Sequence, residues 1–249
     1  MTRDPSSDPE RDFHWRGRDV TRLEAVADGV FAIALGLVML SGAVPMRVSE
    51  LRMVFEQIIP LTASFAIIAM LWHAHYLFFR RYGLRDGLSA LLSAVYLFLV
   101  LLFAYPLKLL FGLISQAMFG FGGPLTVRQI LDDSFPILPV YSAGFGAIYF
   151  VLAMLYRRAW SLREEMALDE LERSVTRQYI QSSWIMVWFA LASIVLAYTM
   201  PPRWTSFAGW VFFGIGPVMA IHATRGARAR ERMRSISSNA ADRPERETV

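Results

Sequence analysis

The sequence contains no cysteine, which excludes disulfides, thiolate metal sites and cysteine nucleophiles. Charge is also scarce: only 18% of the 249 residues are Asp, Glu, Lys or Arg, against about a quarter in a soluble domain. No Gly-x-Ser-x-Gly elbow and no phosphate-binding glycine loop is present, so nucleophilic and nucleotide chemistry lack their usual frames. Met1 to Asp19 is polar and mixed in charge, without the short apolar core or small-residue cleavage site of a signal peptide. No internal repeat relates the two halves.

What remains is apolar surface. Hydrophobic residues make up 55% of the chain and aromatics 14%, and the mean hydropathy is +0.39. Stretches free of Asp, Glu, Lys and Arg run Gly29–Met46, Gln57–Phe79, Gly87–Leu107, Ser134–Tyr156, Gln178–Pro202 and Trp204–Thr224. Each approaches or exceeds the roughly 20 residues that cross a hydrocarbon core. Trp and Tyr gather near several ends (Trp72, Tyr76, Tyr105, Tyr141, Tyr156, Trp160, Trp184, Tyr198, Trp204), as interfacial anchors do. The expectation is an all-α integral membrane protein with six transmembrane helices.

Leu109 to Val127 is uncharged too, but Gly112, Gly120, Gly122, Gly123 and Pro124 interrupt it. It reads as a seventh span, a re-entrant piece or an extension of the third helix, and the arginines decide between counts. With six spans, one side holds only Arg47, Arg52, Lys108, Arg128 and Arg203, and the other holds the remaining 20 of 25 basic residues. The positive-inside rule then places both termini in the cytoplasm. It also accounts for the net charge of +4 and pI near 9.6 without nucleic acid. The Gly120-Phe121-Gly122-Gly123 run is not a carbonyl filter, because no Thr-Val precedes it and Pro124 follows; such residues punctuate turns. Ser161 and Glu164 have capping-box spacing, so Ser161–Gln178 is expected to hold a short cytoplasmic helix.

Few polar residues enter the apolar stretches. Asp28 lies six residues past Arg22, about 9 Å along a helix, and an acid at that depth wants a partner. His73 and His75 on the second span sit at a matching depth. Asp28 and one of these histidines therefore form either a proton- or ion-handling pair or a hydrogen bond that clamps two helices. His73 and His75 themselves point about 200° apart, and no metal site is expected from them; His14 and His222 stand in the tail and at a helix end. On the first helix, Val26, Ile33, Leu37, Leu40 and Val44 fall within about 40° of one line, and Asp28 is about 140° from it.

The run Arg22-x-x-x-Val26-Ala27-Asp28-Gly29-Val30-Phe31-Ala32-Ile33-Ala34 resembles the first-helix signature of the transmembrane protein 175 family, the endolysosomal potassium channels and their prokaryotic relatives. Their motif is Arg-x-x-x-Phe-Ser-Asp followed by a similar run. The likeness continues in Trp72-His73-Ala74-His75 and in the Leu-rich third helix leading to Tyr105-Pro106. The resemblance implies a homotetrameric, potassium-permeable channel in a prokaryotic cell membrane, with lipid and monovalent cations or protons as partners and no cofactor. Four copies of the first helix would line the pore, with a constriction at Ile33, Leu37 and Leu40. Arg22, Asp28 and His75 would form the polar cluster anchoring that helix. Residues 1–20 would then be a cytoplasmic lead-in, 21–224 the channel domain and 225–249 a disordered Arg-rich cytoplasmic tail. The motif's Phe and Ser are Val26 and Ala27 here, and the Thr of many relatives is Gly36. A proton-coupled secondary transporter using Asp28 and His75 is the alternative.

Overall fold

The computed structural model describes residues 13–17, 20–40, 48, 55–120, 137–200 and 202–241. Among them there is no strand. In chain order the helices are α1 (Arg22–Leu40), α2 (Ile58–Tyr82), α3 (Gly87–Phe119), α4 (Ile137–Ser161), α5 (Glu170–Thr199), a 3₁₀ stretch (Pro202–Gly214) and α6 (Ile215–Ala241). Five of them, α1 to α5, are long and apolar enough to cross a membrane.

Local chemistry sets the boundaries. α1 opens on a capping box, in which the Thr21 hydroxyl accepts from the Glu24 amide at 3.2 Å and Glu24 accepts from the Thr21 amide at 2.7 Å. Both satisfy amides that a helix start leaves open. α2 stops at Gly83, whose φ of 59° is the left-handed conformation that glycine adopts without a Cβ penalty. Asp86 caps α3, accepting from the Ser89 amide at 3.3 Å and the Ser89 hydroxyl at 2.6 Å. α3 has 33 residues, about 50 Å at 1.5 Å per residue, so it outruns a hydrocarbon core of about 30 Å. Its apolar span is Gly87–Ala104. Leu109–Phe119 is therefore the helix extension among the three readings of that stretch, ending where Gly120 takes φ 70°. Residues 121–136 lie outside the described residues.

Three sequence expectations differ from the structure. No separate helix forms over Ser161–Gln178: Ser161 closes α4 with its hydroxyl on the Arg158 carbonyl, and turns follow through Ala167, whose φ is 48°. The capping box is at Asp169–Glu172 instead and opens α5 directly, since an Asp cap with Glu three residues on is the same device as Ser161 with Glu164. Residues 225–241, expected to be unfolded, continue α6; after Gly226 the run Ala227–Arg234 is made of strong helix formers with no proline. Residues 13–17, expected as part of a disordered lead-in, pack on the bundle, with Phe13 buried against Tyr82. The sixth apolar stretch is 3₁₀ helix up to Gly214 and α-helix from Ile215.

α4 and α5 form the most extensive helix pair, and α1 packs on α2 and α3. Glycines allow the close approaches: a Cβ on Gly146 would sit 2.9 Å from the Ala190 methyl, and one on Gly144 would sit 2.7 Å from the Phe103 ring. Buried hydroxyls join helices where lipid offers no partner. Ser142 pairs with Ser193 at 2.9 Å, and Tyr82 pairs with Thr176 at 2.7 Å.

Candidate pore helix and its polar foot

Packing divides α1 into two faces. Ala27, Phe31, Ala34 and Val38 are buried, spaced at four, three and four residues, which is one stripe of a helix. Within this stripe Phe31 faces the rings of His75 (6.1 Å) and Tyr96 (6.5 Å). Away from that stripe, Ile33 is 58% exposed, Leu37 39% and Leu40 80%. Among the described residues these three large apolar side chains stay exposed, Leu40 most and Leu37 least. Val26, in line with them, is also exposed. Val44 lies outside the described residues. Gly36 is half-buried, and a Cβ placed there would meet nothing within 4 Å.

The polar residues at the foot of α1 do not pair as the sequence suggested. Trp72 on α2 donates its indole N–H to Asp28 Oδ1 at 2.8 Å. His75, one turn further along α2 and buried, bonds through Nε2 to the Ser93 hydroxyl on α3 at 2.6 Å. Its ring stacks on Tyr96 at 5.4 Å, and the Tyr96 hydroxyl donates to the Leu71 carbonyl at 2.9 Å. Asp28 and His75 line one cavity of about 280 Å³ with Glu24, Trp72, Tyr76 and Arg80. They share that space without a hydrogen bond between them. The physical reason is that a histidine this deeply buried needs a neutral partner at contact distance, and Ser93 supplies one. Asp28 is exposed and takes the Trp72 indole instead. Arg22 lines a separate cavity of about 430 Å³ with Arg85, Leu23 and Leu84. His73 is exposed while His75 is buried, so the two diverge as helical spacing predicts.

The sequence pattern does not single out Ser93, and it marks Trp72 as an interfacial anchor and part of the second-helix likeness without pairing it with Asp28. A serine four residues beyond Ser89, inside the apolar run of α3, was the available signal for the first. Four residues separate Trp72 and Tyr76, whose rings stack at 5.6 Å, and that helical spacing was the signal for the second. A cluster near the start of α5 carried no signal in the sequence: His14, Asp169 and Glu172 bring one ligand atom each within 4.8 Å of one another. Both Glu172 oxygens are already held by the Arg16 guanidinium, at 2.8 and 2.7 Å, so a cation there would compete with a bidentate ion pair.

The family model described as "Endosomal/lysosomal potassium channel TMEM175" matches residues 22–104, which covers α1, α2 and the span of α3. A protein named potassium channel from Marivirga tractuosa is 30% identical over 218 residues, 84% of this chain and 88% of its own. A crystal structure of a single-substitution variant of the potassium channel MtTMEM175, bound to a nanobody–MBP fusion, aligns with a TM-score of 0.75. The identity is 28%, covering 92% of this chain and 100% of that one. The structure of a lysosomal potassium-selective channel TMEM175 homolog from Chamaesiphon minutus shares the fold, with a TM-score of 0.52 at 23% identity over 81% and 96% of the two chains. Relatedness over most of its length, together with the signature beginning at Arg22 and the two-faced first helix, makes this chain a member of the TMEM175 family.

Proposed function

We propose that four copies of this chain form a potassium-permeable cation channel in a prokaryotic plasma membrane, each subunit crossing six times with both termini in the cytoplasm. The carrying observation is the face of α1 that bears Ile33, Leu37 and Leu40, large apolar side chains that stay exposed among the described residues. A central pore built from four α1 helices gives that face a place, and a ring of such side chains closes by excluding water. The sixth crossing is the stretch through Pro202–Gly214 and the start of α6, which carries no charge between Trp204 and Thr224. The excess of arginine on one side sets the orientation.

Asp28 and Trp72 act in this reading as a clamp between α1 and α2, and His75 with Ser93 as a second clamp between α2 and α3. Together they hold the helix behind the pore-facing stripe. Potassium flux from loaded proteoliposomes tests the proposal. Flux above that of empty vesicles, rising when Ile33 or Leu37 is replaced by Ser, supports it. No flux, with no gain in either variant, overturns it.

A further inference from the structure

Phe13 to Gly17 crosses the cytoplasmic ends of α2 and α5, and each residue of the segment is held. The Arg16 amide donates to the Arg81 carbonyl at 3.4 Å and the Gly17 amide to the Arg80 carbonyl at 3.1 Å. These are carbonyls from the end of α2, which have no partner within their own helix. Arg80 returns a bond from its guanidinium to the Gly17 carbonyl at 2.7 Å and lies 4.9 Å over the Trp15 ring. Phe13 is buried beneath the Arg81 guanidinium, 5.7 Å from its ring centroid. Gly17 has no room for a side chain, since a Cβ would collide with the Phe79 carbonyl.

The anchor is Glu172 in the first turn of α5, only 1% exposed. Its carboxylate accepts from the His14 amide at 2.9 Å, from both Arg16 terminal nitrogens and from the Asp169 amide at 3.2 Å. A carboxylate so buried depends on its donors, and three of those four bonds come from the segment. Beyond Gly17 only residues 18 and 19 precede Val20 at the foot of α1. Three peptide steps span about 11 Å at most. So short a link limits how far that foot can move away from the segment before it pulls on it.

We infer that Phe13–Gly17 is a strap that restrains the cytoplasmic foot of α1, with Arg16 and Glu172 as the positioning pair, and that releasing it eases opening of the pore. The inference rests on α1 lining the pore. An apolar constriction opens when water enters it, which rotation or spreading of its helices promotes, and a strap fixed to α2 and α5 opposes both.

Three variants of the full chain in potassium-loaded proteoliposomes test this. Arg16→Gln removes the guanidinium from Glu172, Gly17→Ala lifts the strap from Phe79 by overlap, and the double exchange Arg16→Glu with Glu172→Arg restores opposite charges. Flux rises severalfold in the first two and returns toward the parent level in the third, at unchanged oligomer size in detergent. A lock supplies the converse: His14→Cys with Asp169→Cys, bridged by a short bis-thiol reagent, lowers flux, and reductant restores it in the same sample. Unchanged or reduced flux in both Arg16→Gln and Gly17→Ala, or a bridge without effect, overturns the strap. Ile33→Ser separates the two levels. If it raises flux while the strap variants do not, only the strap is wrong; if it changes nothing, the pore reading falls and takes the strap with it.

Discussion

Gly36 and Ser93 show what single positions decide. Gly36 stands at the position where the family resemblance implies Thr, beside the exposed stripe of α1, and a Cβ there meets no described atom of its own subunit within 4 Å. Glycine inside a helix costs roughly 0.5–1 kcal/mol relative to alanine. Gly36→Thr is therefore expected to leave the melting temperature unchanged or raise it, while increasing the preference for potassium over sodium in bi-ionic flux. A fall in stability would mean that the neighbouring subunit occupies that space. Ser93 is the opposite case, because its hydroxyl is the bonded partner of buried His75. Ser93→Ala leaves a ring nitrogen unpaired in an apolar site and costs about 1–3 kcal/mol. Adding His75→Phe removes the stranded group and places a ring against Tyr96 and Phe79. Thermal unfolding should then show the double variant more stable than Ser93→Ala alone. The sequence displayed Asp28 and His75 at one depth, and depth was right. Partner choice was not readable, because Trp72 and Ser93 lie on other helices and are selected by crossing geometry.

At the scale of elements, the joints between helices are held by single polar residues. Asp86 caps α3 and also takes the Arg158 guanidinium of α4 at 3.0 Å. Its partial burial pushes the carboxyl upward, and the bonds from the Ser89 hydroxyl and amide and from Arg158 outweigh this, leaving it below the ordinary 3.8. A carboxylate lowered by folding contributes stability above its unfolded value and loses it as the pH falls through the folded one. Asp86→Ala is thus expected to cost about 1 kcal/mol at neutral pH through the lost cap, with the difference from the parent closing below pH 3.8. Denaturation midpoints at both pH values check the sign; a difference that grows in acid contradicts it. Helix existence was legible from the uncharged runs, whose interiors match α1 to α5. Helix ends were less so. Ser161–Glu164 and Asp169–Glu172 have the same spacing, and only the left-handed turn at Ala167 decides which of them starts a helix. The continuation of α6 to Ala241 was hidden because charge was read as disorder, although arginine, glutamate, alanine and methionine favour helix when no proline intervenes.

On the scale of the whole molecule, two exposed apolar stripes need different solvents. One is Ile33, Leu37 and Leu40 on α1; the other is Leu91, Val95, Phe98 and Leu102 on α3, all exposed and spaced at four, three and four residues along one helix face. In a single chain they are indistinguishable by polarity, since a membrane helix is apolar toward lipid and toward an apolar constriction alike. Assembly separates them: a pore face meets water whenever the channel conducts, and a lipid face never does. The absence of cysteine makes the distinction measurable without first clearing the chain of thiols. Single cysteines at 33, 37 and 40 should react with a charged, membrane-impermeant thiol reagent, and reaction should block potassium flux, while cysteines at 95, 98 and 102 should stay unmodified. Thiolates form only where water reaches, because burial in an apolar medium raises the thiol pKa and suppresses the nucleophile. Reaction confined to the α3 positions would assign the pore to the wrong helix. Equal protection of all six would mean that α1 is buried between subunits instead of lining a water path, and that its apolar stripe serves assembly alone.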